Sequence, residues 1–418
     1  MTPHRVVVAT DIPFWLKANG AQQRMSAVWR MLQREPFEAI VFFLGSSNQI
    51  AVDAARAKGI PILPFKAKSS ANLIGSAIAK IRSLASNDRA NTGSKSEPSL
   101  TLQDYRWPAA ERQFRALLNQ FSPDTIVFEY VTMAYLADVA RAAVPTARLV
   151  LDSHDVLHRR CAQFTAAGYR HWLQISEEEE IDAARRFDVI LAIQDDEAEW
   201  FRRAAPQAIV LPVGHSFDFG RIKPRWYTSP ERTFVVGYFG SNNGSNVDAI
   251  ITFVKLAWPK IVAANQSVEL LIGGTIVDAA AVGQCLTAPH VRSQRNYASP
   301  DAFYEVVDLV VNPVRFGTGL KIKTVEALAH GCPVVTTSGG RIGVPQSFEE
   351  TCVAVEQIEQ MAEPIIARLS DPSALLELSR KTYELARAEF SEDRILGEFR
   401  RLLLGETDPP LAKTSPKP

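Results

Sequence analysis

The sequence contains few cysteines and no apolar run long enough to cross a membrane. Only four cysteines occur in 418 residues: Cys161, Cys285, Cys332 and Cys352. Their spacing matches neither a zinc site nor a disulfide framework, so a reducing cytoplasm is the simplest expected compartment. No window approaches the roughly 18 apolar residues of a membrane span, and the N-terminus lacks the apolar core of a signal peptide. Membrane contact would therefore be peripheral, at the inner face of a membrane.

The sequence also lacks an excess of charge of either sign. Its 46 basic and 46 acidic side chains give a formal net charge of +0. A nucleic-acid-binding domain would usually carry a basic excess, so no nucleic-acid partner is expected. The chain is too long for one typical hydrophobic core, and we expect two domains of roughly 200 residues.

Short apolar runs alternate with helical segments in two successive series, which is typical of parallel sheets covered on both faces. The first series predicts strands at Val6–Ala9, Ala39–Leu44, Ile60–Phe65, Thr125–Phe128, Leu149–Asp152, Val189–Ile193 and Ile209–Leu211. The second predicts strands at Phe234–Phe239, Glu269–Gly273, Leu309–Asn312 and Pro333–Thr337. Helices are expected at Gln22–Gln33 and Val52–Lys58, with one or two long helices over Ala374–Leu404.

These series predict two doubly wound, Rossmann-like α/β domains. The expected divisions are an N-terminal domain at 1–211, a linker at 212–232, a C-terminal domain at 233–388, a helix at 389–405 that returns to the first domain, and a disordered tail at 406–418. Segment 86–100 is expected to be a mobile loop. Because parallel sheets bind ligands beyond the carboxyl ends of their strands, two such domains facing each other would form a cleft.

The most informative segment runs from Asn312 to Val335 and predicts a strand, a glycine turn, a helix and another strand. Gly317 and Gly319 let the backbone approach a ligand closely. The helix expected near Leu320 would direct free N–H groups and a partial positive charge at that turn. Lys321 and Lys323 add full charges there, although solvated lysines are the common alternative. The combination predicts a site for a diphosphate.

Glu326 lies about 1.5 turns into the same helix, where its carboxylate can accept hydrogen bonds from two neighbouring hydroxyls, as on a ribose. The segment resembles the donor-binding region of retaining GT-B glycosyltransferases of family 4, the glycosyl transferases group 1. It is most similar to the branch with Gly-x-Gly-Leu-Lys-x-Lys. The resemblance implies that the donor contacts include Gly317, Thr318, Gly319, Leu320 and Glu326. At the position of Thr318 the family carries the first of two carboxylates. The sugar contact expected from that carboxylate is absent here, so the identity of the donor sugar stays open.

Two further segments match donor-binding parts of the family. Many members carry an Arg and a Lys after the first strand of the C-terminal domain, but here that loop, Gly240–Asn246, has no cation. Gly240 and Asn242 are instead expected to bind phosphate or sugar oxygens. The segment from Asn296, which includes Tyr297, corresponds to the one that holds the nucleotide base through its backbone. We therefore expect Lys321, Lys323 and the helix dipole to compensate the negative charge of the diphosphate.

In the N-terminal half, the resemblance places His154 beside the donor sugar and Gly20 against the donor phosphates. A structural His in a turn is the alternative for His154. Arg24 and Arg159 are candidates for acceptor contact, although pairing with surface carboxylates is an alternative for both. Trp15 is a candidate to stack on a sugar ring or simply to pack.

The resemblance implies a retaining, metal-independent transfer of a sugar from a nucleotide-diphosphate sugar to a glycan, a lipid-linked acceptor or a small molecule. His154, Lys321 and Lys323 would be the catalytic residues, and no cofactor is expected beyond the co-substrate. Glu177–Glu180 is interpreted as a solvated helix face rather than a metal site. A nucleotide-sugar epimerase and a non-catalytic nucleotide-sugar-binding subunit are the alternatives. A dehydrogenase would need a complete Gly-x-Gly-x-x-Gly turn after a strand, which is missing here.

Overall fold

The computed structural model describes residues 2–16, 20–45, 48–66, 99–169, 171–224, 226, 233–297, 300–316 and 319–406. Within them, thirteen strands belong to two sheets. Those of the first sheet are β1 His4–Thr10, β2 Phe37–Phe43, β3 Ile62–Pro64, β4 Thr125–Glu129, β5 Arg148–Asp152, β6 Val189–Ala192 and β7 Ile209–Pro212. Those of the second are β8 Phe234–Phe239, β9 Val268–Gly273, β10 Val291–Gln294, β11 Leu309–Asn312, β12 Val334–Thr337 and β13 Cys352–Val355.

Both sheets are parallel throughout. The first has the order β3-β2-β1-β4-β5-β6-β7, and the second has the order β10-β9-β8-β11-β12-β13. In each sheet the strand order reverses beside the first strand of the series. Loops on either side of such a reversal diverge and leave a crevice at the carboxyl ends of the strands.

Helices connect the strands and cover the faces of both sheets. In the N-terminal half they are α1 Gly20–Leu32, α2 Gln49–Ala57, α3 Pro108–Phe121, α4 Tyr135–Ala143, α5 Leu157–Ala166, α6 Glu177–Ala184 and α7 Asp195–Ala204. In the C-terminal half they are α8 Gly244–Leu256, α9 Trp258–Ala264, α10 Ala280–Gly283, α11 Pro300–Tyr304, α12 Ile322–Ala329, α13 Ala362–Leu369, α14 Pro372–Phe390 and α15 Glu392–Leu403. Short 3-10 helices lie at Phe14–Leu16, Leu102–Tyr105, Val131–Met133, Thr275–Asp278, Gln284–Thr287, Ser338–Arg341, Gln346–Phe348 and Ile358–Met361.

Each sheet has a hydrophobic core on both faces. In β1, Val7 and Ala9 belong to one buried cluster, whereas Val6 and Val8 belong to another on the opposite face. The alternation follows from the two-residue period of a strand. Because both faces are covered, the strands are continuous apolar runs, which explains why most of them were predictable from the sequence.

The last helix packs on the first sheet. The helical segment predicted over Ala374–Leu404 is broken at Ser391, whose extended backbone forms a β-bridge with Phe217 in the segment joining the two sheets. Beyond this break, α15 places Leu396 and Phe399 in the same buried cluster as β1 and α1. The chain therefore crosses between the domains twice, at adjacent points. The domain boundaries given above stay predictions.

The sequence did not indicate β10 and β13, which are the two edge strands of the second sheet. The side chains of β10 are polar or partly exposed, so an apolar run is missing there. The predictions for 86–98 and 407–418, and that for most of 225–232, lie outside the described residues. Among the described helices, none combines the length and the apolar character needed to span a bilayer.

Candidate active site

A cleft of about 1020 Å³ lies between the two domains. Its walls come from loops at the carboxyl ends of strands in both sheets. The N-terminal wall includes Asp11 after β1, Tyr130 after β4 and His154 after β5, whereas the C-terminal wall includes Gly240 after β8 and Val314 after β11. The volume matches that of clefts that bind small organic ligands.

The glycine turn before α12 forms the centre of the C-terminal wall. Gly319 has φ 75°, a left-handed conformation that favours glycine. Gly20, at the start of α1, contacts the other side of this region, where an added Cβ would lie 2.4 Å from Ile322 Cδ1. The two glycines thus permit the domains to approach closely at the cleft. Gly317 and Thr318 lie outside the described residues.

Lys321 is the N-cap of α12 and lines the cleft, as does Leu320. Burial lowers the pKa of the Lys321 ammonium to about 8. The Asp155 carboxylate of the N-terminal domain opposes this shift, whereas the Arg160 guanidinium adds to it. Lys321 is therefore directed toward the opposite domain and not into bulk solvent. An ammonium that has lost hydration in this way gains free energy from an anionic ligand.

Lys323 also lines the cleft but is held by its own domain. Its Nζ donates to the Tyr238 hydroxyl at 3.2 Å and to the Asn246 side-chain oxygen. The same Nζ lies 4.9 Å from the centroid of the Tyr238 ring. The two lysines of the motif therefore diverge, because one faces the N-terminal domain and the other is anchored between β8 and α8. Of the two, Lys321 is the one whose charge interacts with Asp155 of the opposite domain.

Glu326 is 5% exposed and lies on the cleft wall below the turn. The Tyr304 hydroxyl donates to its Oε2 at 3.2 Å, and Gln23 of α1 forms a second side-chain hydrogen bond to it. Burial raises the pKa of this carboxyl group to about 6, although nearby His330 and both hydrogen bonds oppose that shift. The carboxylate already accepts hydrogen bonds from two neutral groups, and a pair of sugar hydroxyls would donate hydrogen bonds of the same kind.

His154 lies in the N-terminal wall with φ 60°, a rare conformation for a residue with a Cβ. Its Nε2 is 2.7 Å from Oε2 of Glu129, and its ring stacks on Tyr130 with centroids 4.1 Å apart. Burial raises the pKa of Glu129 to about 7; the Asp152 carboxylate adds to the shift and His154 opposes it. The ring of His154 is thus held between the buried Glu129 carboxyl group and the partly buried Tyr130 ring.

Arg24 has a structural role in this wall. Its side chain is 2% exposed, its Nη2 lies 2.7 Å from Asp152 Oδ1, and its Nη1 donates to the carbonyl oxygens of Val213 and Gly214. These bonds tie α1, β5 and the segment after β7 together. Although Arg24 borders the cleft, its donors are engaged, so the structure does not support acceptor binding by this side chain.

The other two acceptor candidates lie away from the cleft lining. Trp15 is 2% exposed, and its indole N–H donates to the Ala51 carbonyl at 2.8 Å. Its ring packs on Phe43 in the core, so it offers no face to a sugar. Arg159 lies with its guanidinium carbon 5.7 Å from the ring centroid of Trp200 on the N-terminal domain.

The loops after β8 and β10 supply the remaining predicted donor contacts. Gly240, Asn296 and Tyr297 line the cleft, whereas Asn242 does not. The side-chain oxygen of Asn242 is buried without a partner among the described residues, as is the Tyr297 hydroxyl. The side-chain oxygen of Asn296 accepts a hydrogen bond from Arg295 at 3.0 Å. Gly240, Asn296 and Tyr297 are thus positioned to contact a ligand in the cleft.

Two acidic residues, Glu180 and Asp155, have surroundings that the sequence did not indicate. Glu180 belongs to the segment interpreted as a solvated face, yet it is 1% exposed and accepts hydrogen bonds from the backbone N–H groups of Leu157 and His158, both at 2.8 Å. It caps α5, because the first N–H groups of a helix need acceptors. Asp155 was not a predicted site residue, although it follows His154 directly and contacts the Gly319 turn.

The comparisons with known proteins agree with this architecture. Residues 233–371 match the family glycosyl transferases group 1. This segment begins just before β8 and includes the turn, both lysines and Glu326. An uncharacterized 44.6 kDa protein in the cps region of Klebsiella pneumoniae is 22% identical over 232 residues, which cover 52% of this chain. The chain spans 56% of the length of that relative.

Solved structures show the same fold over nearly the whole chain. Anabaena Alr3699/HepE in complex with UDP-glucose is similar with a TM-score of 0.61 and 14% identity, covering 96% of this chain and 100% of that one. Sucrose-phosphate synthase from Thermosynechococcus elongatus has a TM-score of 0.67 and 13% identity, covering 97% and 100%. The fold is GT-B, with two Rossmann-like domains. The segment that matches the family lies in the second of these domains.

Proposed function

We propose that this protein is a retaining, metal-independent glycosyltransferase of family 4, in the branch with the Gly-x-Gly-Leu-Lys-x-Lys donor loop. Its donor would be a nucleotide-diphosphate sugar. Its acceptor would be a glycan, a lipid-linked acceptor or a small molecule, in polysaccharide biosynthesis. The cps-region relative supports that setting, and the UDP-glucose bound to the Anabaena protein makes UDP-sugars the first donors to test.

The observation that carries the proposal is the position of Lys321. It stands at the start of α12, beside a left-handed glycine, and interacts electrostatically with Asp155 in a cleft that His154 also lines. A diphosphate bound there would meet an ammonium, the positive end of a helix and the polar loop after β8. Hydrogen bonds to charged groups contribute roughly 1.5–3 kcal/mol each.

Transfer would use these groups as the bond between sugar and phosphate breaks. Negative charge grows on the departing diphosphate, and Lys321, Lys323 and the start of α12 would stabilise it. His154 would hold the sugar from the opposite wall. The acceptor hydroxyl would attack from the face that the phosphate leaves and pass its proton to that phosphate, so no protein base is required. Glu326 would hold the ribose through its carboxylate.

A metal ion is not needed in this proposal. Among the described residues, Glu129, Asp152 and His154 place possible ligand atoms within 4.8 Å of one another. Arg24 already binds the Asp152 carboxylate with two nitrogens, and Glu129 accepts from His154. The guanidinium thus neutralises the Asp152 carboxylate, and it would repel an added divalent cation. Full activity in the presence of excess EDTA is the expected result.

The test begins with a thermal-shift screen of UDP, GDP, ADP and their sugars. The nucleotide sugar that raises the melting temperature most is then assayed for transfer, with product configuration at the anomeric carbon read by NMR. A retained configuration supports the proposal, whereas an inverted one contradicts the mechanism. Conversion of the donor to an epimer without acceptor would instead identify an epimerase. Binding without transfer or hydrolysis, across a panel of acceptors, would identify a binding subunit.

A further inference from the structure

Asp155 of the N-terminal domain lies against Gly319 of the donor turn. It follows His154 in the loop after β5, and the residue is 6% exposed. A Cβ added at Gly319 would lie 2.5 Å from Asp155 Oδ1, so only a glycine lets the two domains approach this closely. A carboxylate from one domain thus lies where the backbone of the other makes its left-handed turn.

Two cations lie around the same carboxylate. Arg160 Nη1, from the first turn of α5, donates to Asp155 Oδ2. Lys321 lies on the other side of the cleft, where the Asp155 carboxylate stabilises its charged form. Asp155 is therefore an anion that accepts a hydrogen bond from a cation of its own domain and interacts electrostatically with a cation of the other domain. A phosphate group bound at this turn would use the same partners, because both anions accept charge-assisted hydrogen bonds.

We propose that Asp155 is a further residue of the donor site, an internal anion that occupies the Gly319 turn until a diphosphate displaces it. This inference rests on the proposed function, because it concerns the same diphosphate site. Two anions cannot share Lys321 without strong repulsion, so the diphosphate must displace the carboxylate. The contact between Asp155 and the turn then lowers the affinity for the diphosphate, and its return after transfer favours release of the nucleotide.

The experiment is calorimetric titration of inorganic pyrophosphate and of UDP into the full chain and its Asp155→Asn variant. At pH 6.5 Lys321 is protonated before the ligand arrives, because its pKa is about 8. Asparagine keeps the shape of the side chain and removes its charge. We expect Asp155→Asn to bind pyrophosphate about tenfold more tightly than the wild type, with the gain reduced at high salt.

A matched control is Asp138→Asn, which removes a carboxylate that pairs with Arg186 on the surface. It should leave the affinity for pyrophosphate unchanged. Circular dichroism and thermal melting test whether each variant is folded. If Asp155→Asn does not fold, Asp155→Ala serves as the second variant. Equal or weaker binding of pyrophosphate by the folded Asp155 variants would overturn the proposal. That result would be expected if Asp155 stays in place and accepts hydroxyls of the sugar.

The outcome separates this inference from the proposed function. Tighter pyrophosphate binding by Asp155→Asn, without turnover of any nucleotide sugar, would support the role of Asp155 and contradict sugar transfer. Transfer by the wild type, with equal pyrophosphate affinity in both proteins, would support sugar transfer and contradict the role of Asp155. If neither protein binds pyrophosphate or a nucleotide diphosphate, both proposals are wrong.

Discussion

The two walls of the cleft are built in different ways. In the N-terminal wall, the polar groups pair with each other: Arg24 forms a salt bridge with Asp152, and His154 forms a hydrogen bond with Glu129. In the C-terminal wall, burial lowers the pKa of Lys321 and raises that of Glu326, so both charged forms are incompletely stabilised by the protein itself. The polar groups of the N-terminal wall are therefore engaged mainly with each other, whereas the C-terminal wall gains stability when a ligand of suitable charge and hydrogen-bonding groups binds.

This difference assigns different tasks to the walls. A closed network of ion pairs fixes geometry, because removing one partner leaves a buried charge uncompensated. The stacked ring and left-handed backbone of His154 fit that task. Groups with shifted pKa values and a cleft around them fit ligand binding and charge stabilisation. We therefore expect substitutions in the two walls to affect turnover and nucleotide affinity in different proportions.

The largest effect is expected from Lys321→Ala, which removes the cation nearest the departing diphosphate. Turnover should fall by about 100-fold, because a positioned charge acts most strongly on the charge that develops in the transition state. Lys381→Ala, an exposed lysine that pairs with Glu350, is the control and should retain wild-type rates. Steady-state kinetics with the donor from the thermal-shift screen provides the measurement. Unchanged turnover by a folded Lys321→Ala variant would remove the main distinction between the walls.

His154→Ala tests the N-terminal wall. Turnover should fall by about tenfold or more while the affinity for the free nucleotide diphosphate stays nearly constant, because His154 is expected beside the sugar. Initial rates give the first quantity and calorimetry with the nucleotide gives the second. The opposite pattern, with weak nucleotide binding and little loss of turnover, would place His154 outside the sugar site.

A smaller and more selective effect is expected from Glu326→Ala. The loss of a carboxylate that accepts ribose hydroxyls should weaken the binding of the nucleoside diphosphate by about tenfold, since such bonds contribute roughly 1.5–3 kcal/mol. Inorganic pyrophosphate has no ribose, so its affinity serves as an internal control and should change little. Equal calorimetric affinities of the wild type and the variant for the nucleotide would contradict the ribose contact.

The C-terminal wall was more predictable from the sequence than the N-terminal wall. Gly319, Lys321 and Glu326 lie within one short turn and helix, where local geometry brings them together. The partners of the N-terminal wall are distant in the chain: Glu129 and His154 are 25 residues apart, and Arg24 and Asp152 are 128 apart. Such pairs depend on strand order, which periodicity does not reveal.

Similar physical reasons explain the remaining differences between the sequence predictions and the structure. The buried central strands were predicted because both of their faces are apolar, whereas the edge strand β10 has no such signal. Trp15 and Arg24 appeared functional because aromatic and cationic residues near a glycine often bind ligands. Their burial is decided by packing against residues such as Phe43 and Asp152, which lie elsewhere in the sequence. Residue type and local spacing alone do not contain that information.

The smallest expected effect concerns pH and sharpens the contrast between the walls. Below its pKa of about 8, Lys321 is already charged, so a diphosphate binds without a change in its protonation. Above that pH, binding must be accompanied by uptake of a proton, and affinity should fall by up to about tenfold per pH unit. Lys321→Arg should abolish this decline because the guanidinium stays protonated. Calorimetry of the nucleotide diphosphate between pH 7 and 9 provides the comparison, and a decline that persists in Lys321→Arg would assign the titration to another group.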